Sequence, residues 1–123
     1  MSNKVFSAQS EARLAACNPN LQRLAREVLK EMDIAVLCGH RGEAEQNAAY
    51  QAGNSKLKYP DSKHNYYPSC AVDIAPYPID WNDISRFQSM GEIVKRKAAA
   101  LSLGIKWGGD WVGFKDYPHV ELA

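Results

Sequence analysis

Four short segments with strand-like composition constrain the fold most strongly. They cover residues 34–38, 71–75, 105–107 and 118–122, and glycine or proline follows three of them. Each segment is too short for a helix, so we predict four strands. Because the strands are short and partly joined by hairpin-like loops, the pattern favours an α+β domain with a small, mainly antiparallel sheet over a parallel layout.

Apolar residues at helical spacing predict four helices around that sheet. They cover about residues 8–16, 19–32, 43–52 and 84–101. Ser7 and the polar segment 80–83 supply capping side chains, and Gly53 and Gly104 stand where helices should end. The apolar stripes of these helices are interpreted as core.

Length and charge limit the organisation of the chain. The 123 residues suit one domain, 1–123, with no room for a second module. The net charge is only +1, and the fifteen basic residues are spread along the chain, which argues against nucleic acid as a partner. The dense run at 95–97 is interpreted as the exposed face of a helix.

Cysteines and hydropathy indicate the compartment. Cys17, Cys38 and Cys70 are odd in number and widely spaced, which fits reduced thiols better than disulfides or a paired zinc site. The first residues lack the apolar region of a signal peptide, and no run of eighteen apolar residues occurs. We therefore expect a cytoplasmic protein without a signal peptide and without stable membrane association.

Two histidines with neighbouring carboxylates are the candidate chemical groups. His64 precedes Asp73, and His119 lies between Asp116 and Glu121. Two imidazoles and a carboxylate can hold a divalent transition ion and leave a fourth position to water. From the residues alone, a structural hydrogen-bonding role for each histidine stays open.

Three short motifs carry a resemblance to a known family. Ser-x-His at 62–64, Ala-x-Asp at 71–73 and Asp-x-x-His at 116–119 resemble the zinc peptidases that include VanY-like D-Ala-D-Ala carboxypeptidases, D,D-dipeptidases and phage L-alanyl-D-glutamate endolysins. The match is closest to the endolysins. Segments 39–46 and 107–111 add to the similarity, which covers about residues 36–122 and implies a Hedgehog/DD-peptidase-like fold.

The chain departs from the broader family pattern in two places. Nine positions separate His64 from Asp73, and no glycine intervenes. The longer loop, 65–70, is a candidate determinant of specificity. His40 stands where a tyrosine is expected, whereas Arg41 is retained.

The resemblance implies a role for each matching residue. His64, Asp73 and His119 would bind Zn²⁺. Asp116 would act as the general base, with Glu121 as its rival.

Two further residues would act on the substrate. Arg41 would stabilise the oxyanion or pair with a substrate carboxylate, rather than serve as a structural arginine. Ser62 would contact substrate, although it could also simply cap its loop. A thiol-protease reading based on Cys70 is disfavoured, because a histidine committed to zinc cannot activate a thiolate.

The implied function is hydrolysis of the L-Ala-D-Glu amide bond in the stem peptide of peptidoglycan. The enzyme would act as a monomer, without a separate cell-wall-binding module, and would stay in the host cytoplasm until its release to the wall. One alternative is a D-Ala-D-Ala carboxypeptidase or dipeptidase. The other is a non-catalytic, metal-stabilised binding module.

Overall fold

A computed structural model describes residues 4–123 and contains four helices and four strands. In chain order these are α1 (Ala8–Ala15), α2 (Pro19–Leu29), β1 (Ile34–Cys38), α3 (Glu43–Gln51), β2 (Ala71–Pro76), α4 (Ile84–Ala100), β3 (Ile105–Trp107) and β4 (His119–Leu122). Short 3₁₀ turns lie at Lys63–Asn65 and Gly108–Asp110. Residues 1–3, part of the segment interpreted as lacking a signal peptide, lie outside the described residues.

The four strands form one antiparallel sheet in the order β1-β2-β4-β3. The predicted α+β class with an antiparallel sheet is therefore confirmed. In the central pair, Asp73 on β2 lies directly opposite His119 on β4. A register shift between Val36 and Cys38 ends β1 beside the same point of β2. The end of β1 and the start of β4 therefore lie on either side of Asp73, in the middle of β2.

Side chains cap the helices much as the sequence predicts. Ser7 accepts a hydrogen bond from the backbone of Ser10, and Asp83 accepts one from Arg86. Asn18 caps α2, and Pro19 occupies its first turn, where a missing N–H costs nothing. Helix α2 ends at Leu29, earlier than its apolar spacing indicated.

One hydrophobic core joins α1, α2 and α4 to the sheet. Its fully buried members include Leu14, Leu21, Val36, Ile74 and Phe87. Fully burying side chains of this size contributes about 1.5–3 kcal/mol each relative to exposure. The core fixes β2 and β4, which carry two of the candidate ligands.

The basic run at 95–97 lies on the exposed side of α4. Arg96 forms a bidentate ion pair with Glu31, and Lys97 lies 3.4 Å from the same carboxylate. Lys95 pairs with Asp110. The run is thus neutralised by carboxylates, as expected of a solvated helix face. Within residues 4–123, no helix combines the length and the apolar character needed to cross a membrane.

Candidate metal centre

Three side chains converge where the middle of β2 and the start of β4 approach the first 3₁₀ turn. His64 Nε2 and His119 Nδ1 each lie 3.2 Å from Asp73 Oδ1. One ligand atom from each residue lies within 4.8 Å of the others. His64 is 1% exposed and His119 is 6% exposed. The predicted ligand set is therefore assembled in space, although 55 positions of sequence separate its ends.

The backbone around β1 fixes the orientation of His64. His64 Nδ1 lies 2.6 Å from the carbonyl oxygen of Gly39, which can only accept, so Nδ1 carries the hydrogen. A Cβ at Gly39 would lie 2.4 Å from the carbonyl oxygen of Arg13, so only glycine allows this close approach to α1. The result is that Nε2 faces Asp73.

Glu121 fixes the orientation of His119 in the same manner. Glu121 Oε1 lies 2.8 Å from His119 Nε2, and the two residues share one face of β4 because side chains alternate along a strand. Lys63 Nζ lies 3.5 Å from the other oxygen of Glu121 and also donates to the carbonyl of Leu122. A carboxylate only accepts, so His119 donates through Nε2 and directs Nδ1 at Asp73.

This arrangement fits a divalent metal ion. With their hydrogens on the outer nitrogens, both imidazoles direct lone pairs at a carboxylate oxygen, and such a contact requires a proton or a cation between the atoms. Two nitrogens and one carboxylate oxygen form the ligand set of a metal site with an open position. The buried His-Asp-His group can therefore bind a metal ion.

The same cluster shifts the pKa values of its members. Burial lowers the pKa of His64, but hydrogen bonds to Asp73 and Cys38 and the Asp73 charge outweigh it and raise the pKa to about 10. Burial raises the pKa of Asp73, but hydrogen bonds from His119 and His64 and their charges hold it well below its usual range. Without metal, a proton therefore occupies the place of a cation.

Arg41 binds the second oxygen of Asp73. Its Nη2 lies 3.2 Å from Asp73 Oδ2, and its Nη1 donates to Gln46 Oε1 at 3.0 Å. Gln46 is fully buried and donates in turn to Leu57 O and Ser55 Oγ. The guanidinium is thereby fixed beside the cluster and balances the carboxylate charge.

Asp116 lies beside the ligand cluster, and its carboxylate is not engaged by another side chain of the described residues. Within residues 4–123 that carboxylate has no hydrogen-bond or ion-pair partner. Its pKa is raised mainly by burial and also by the charge of Asp73. Gly108 allows the segment to approach, because a Cβ there would lie 2.1 Å from the carbonyl oxygen of Asp116.

A cavity of about 440 Å³ opens onto the cluster. Ser62, His64, Asp116 and His119 contribute to its wall, and Ser62 Oγ accepts from the backbone of His64. The ring of Trp111 lies 5.1 Å from that of His119. All six predicted site residues are thus found at this cavity or in direct contact with its ligand cluster.

Other predicted contributors lie elsewhere. Within segment 107–111, which adds to the family resemblance, Trp107 does not line the cavity; it is 5% exposed and packs as core against Gly91 and Gly109. The thiol beside His64 is Cys38, at 4.0 Å from Nδ1, and not Cys70. Residues 65–70 do not line the cavity. Their end is anchored at the junction of α1 and α2, where Ser69 is fully buried and bonds the backbone of Ala16 and Asn18.

Sequence reasoning missed the role of Glu121 as a partner of His119. The signal was the two-residue spacing along a strand, which puts both side chains on one face. The contact between Arg41 and Asp73 had no comparable signal, since it depends on how β1 pairs with β2.

Known proteins of one peptidase family are similar to this chain. The family model described as phage L-alanyl-D-glutamate peptidase matches residues 1–122. The chain is similar to the L-alanyl-D-glutamate peptidase of Escherichia phage T5, with 34% identity over 122 residues, which are 95% of this chain and 88% of that protein.

Two further relatives extend the similarity. Peptidoglycan L-alanyl-D-glutamate endopeptidase CwlK of Bacillus subtilis is 33% identical over 109 residues, which are 76% of this chain and 62% of CwlK. The crystal structure of the L-Ala D-Glu endopeptidase ChiX of Serratia marcescens superposes with a TM-score of 0.83 at 28% identity, covering 98% of this chain and 92% of ChiX. This chain belongs to the phage L-alanyl-D-glutamate peptidase family.

Proposed function

We propose that this chain is a zinc-dependent peptidoglycan hydrolase that cuts the L-Ala-D-Glu amide bond of the stem peptide. The observation that carries the proposal is the convergence of His64 Nε2, His119 Nδ1 and Asp73 Oδ1 beside a cavity that also exposes Asp116. The similar proteins from phage T5 and Bacillus subtilis are named for that bond. Residues 1–123 act as one catalytic domain and as a monomer in this proposal.

His64, Asp73 and His119 would hold the ion. A zinc ion there would lower the pKa of a bound water to about 7 and would polarise the scissile carbonyl group. Asp116 takes the proton from the attacking water and delivers it to the leaving nitrogen of D-Glu. Its available carboxylate favours this role, whereas Glu121 is engaged by His119 and Lys63.

Arg41 and Ser62 have supporting parts. Arg41 keeps Asp73 oriented and adds positive charge near the carbonyl oxygen that becomes negative during attack. Ser62 accepts from the backbone of His64, which leaves its hydroxyl hydrogen free to donate to a substrate oxygen in the cavity. The enzyme is made in the host cytoplasm and meets its substrate after release to the wall.

Zinc affinity should rise with pH. Zinc must displace the proton from His64 Nε2, and the pKa of that histidine in the metal-free protein is about 10. Below that pH, we expect the apparent affinity to increase about tenfold per pH unit, with about one proton released per ion. Competition with a chromophoric chelator between about pH 6 and about pH 8 measures the slope.

Calorimetry in buffers of different ionisation enthalpy counts the released protons directly. An affinity that is independent of pH, with no proton transfer to buffer, would contradict the inferred proton on His64.

The raised pKa of His64 stabilises the metal-free fold below about pH 6.5, and this contribution is lost as the pH rises to about 10.

The deciding test is the product. Purified sacculi are digested with zinc-loaded protein, new amino termini are labelled, and the fragments are identified by mass spectrometry. We expect new N-terminal D-Glu and glycan strands that keep only L-Ala. Release of single D-Ala would instead indicate the carboxypeptidase alternative, and zinc-dependent stabilisation without any product would indicate the binding module.

A further inference from the structure

The connection between β2 and α4, together with the first residue of α4, exposes four large hydrophobic side chains. Tyr77, Ile79, Trp81 and Ile84 have exposed fractions of 55%, 39%, 58% and 39%. Single exposed hydrophobic residues are ordinary, but neighbouring ones mark interaction sites. Tyr77 and Ile79 line one cavity, whereas Trp81 and Ile84 line another, which also contains Asp73 and Asp116.

Trp81 is held as a flat platform. Its ring stacks on Phe87 with a centroid distance of 5.6 Å and an interplanar angle of 17°, and Phe87 itself is 2% exposed. Asp80 Oδ1 accepts from the backbone of Asn82, and Arg86 donates to the carbonyl of Pro78. One face of the indole is therefore backed by the core, and its exposed surface is available to a ligand.

This platform adjoins the metal centre through a second cavity of about 610 Å³. Trp81, Ile84 and Tyr117 contribute to its wall together with Asp73 and Asp116. The second cavity shares four residues with the first, namely Arg41, Asn54, Phe114 and Asp116. The two cavities therefore adjoin at these residues, on either side of the candidate ligand cluster, and are together called the groove. A substrate bound at the cluster has space on both sides.

The two ends of the groove differ in chemistry. The first cavity carries charged groups of both signs, including Lys56, Lys63 and Asp61. Apart from the residues around the ligand cluster, the second cavity has one charged residue, Lys115, whose ammonium donates to the carbonyls of Gly109 and Trp111. Its other walls are mainly aromatic and aliphatic.

The substrate has the same asymmetry. On one side of the L-Ala-D-Glu bond lies the rest of the stem, which carries carboxylates and an amine. On the other side L-Ala is joined, through the short lactyl ether of muramic acid, to an uncharged pyranose ring of the glycan. A sugar ring offers an apolar face that stacks on an aromatic ring and hydroxyl groups that stay in water, as at other aromatic binding sites.

We propose that Trp81 forms a glycan subsite, which stacks on the muramic acid ring that bears the scissile stem peptide. The subsite places the L-Ala side of the substrate in the second cavity and the D-Glu side in the first. This inference rests on the proposed function. It means that the catalytic domain itself recognises the wall polymer and not only a peptide.

The test compares two substrates of the zinc-loaded full chain. One is the disaccharide-linked stem peptide, and the other is the same peptide without sugar. The quantity measured is the ratio of kcat/KM for the linked substrate to kcat/KM for the free one. We expect the wild-type ratio to be well above one and Trp81→Ala to lower it by about fivefold to tenfold, mainly through KM.

Further variants separate stacking from folding. Trp81→Leu keeps an apolar cover on Phe87 but has no flat ring, so its ratio of kcat/KM values should fall as in Trp81→Ala. Trp81→Tyr retains a flat ring and should keep most of the wild-type ratio. Tyr50→Ala, an exposed aromatic outside both cavities, should retain the wild-type ratio.

The outcomes distinguish the two proposals. Equal cleavage of both substrates by the wild type, or an equal loss on both in Trp81→Leu, would overturn the glycan subsite and leave the peptidase function standing. Failure to cut either substrate at the L-Ala-D-Glu bond would overturn the proposed function itself.

Discussion

Asp73→Asn should remove zinc binding and lower kcat/KM by about 10³-fold or more. Asp73 Oδ1 is the atom that both imidazole nitrogens face, and an amide oxygen is a neutral, weaker ligand than a carboxylate. Loss of the ion removes several kcal/mol of transition-state stabilisation, which corresponds to at least that factor in rate. Metal content after gel filtration and the rate of cleavage of the disaccharide-linked peptide measure the two effects.

A matched control uses the same substitution in the same cavity. Asp61 is an exposed carboxylate that lines the cavity but lies outside the ligand cluster, so Asp61→Asn should keep one zinc per chain. Zinc should raise the melting temperature of the wild type and of Asp61→Asn but not of Asp73→Asn. An Asp73→Asn protein with full zinc content would refute the assigned ligand set.

The strands and the set of candidate ligands that converges in the fold could be predicted from the sequence for different reasons. The strands follow from local composition, because short apolar runs between helix-length segments have few other solutions. His64, Asp73 and His119 followed from motifs, and the sheet explains their meeting, since Asp73 and His119 are direct partners across β2 and β4. Spacing alone could not decide between a metal-binding role and a structural role for each histidine.

Contacts that depend on tertiary packing could not be predicted. Arg41 reaches Asp73 because β1 shifts register near Cys38 and because Gln46 on α3 holds the guanidinium from the other side. The platform at Trp81 arises because α4 places Phe87 under the ring. Neither arrangement leaves a local pattern in the sequence, as both combine residues from separate elements.

The long loop after His64 illustrates the same limit. Its length suggested a role in specificity, but Ser69 is bonded to Gly39 and to the junction of α1 and α2. The carbonyl of Gly39 is also the partner of His64 Nδ1. The extra residues therefore support the backbone that orients a candidate ligand, and the groove walls come from other segments.

Asp116→Asn should lower kcat by about 10²- to 10⁴-fold while zinc content and KM stay near their wild-type values. Asparagine preserves the shape of the side chain but cannot take a proton from water. The pKa of Asp116 is raised by burial and by Asp73, which moves it toward neutral pH and suits proton transfer there. A pH profile of kcat in the variant should lack the acidic limb that the wild type shows.

Glu121→Gln distinguishes the general base from the residue that orients a ligand. Glu121 accepts from His119 Nε2, so its replacement should weaken zinc binding by about tenfold to 100-fold, as for other partners of metal-bound histidines. Excess zinc should then restore most of the activity of Glu121→Gln but none of the activity lost in Asp116→Asn. The reverse pattern, with rescue of Asp116→Asn alone, would assign the proton transfer to Glu121.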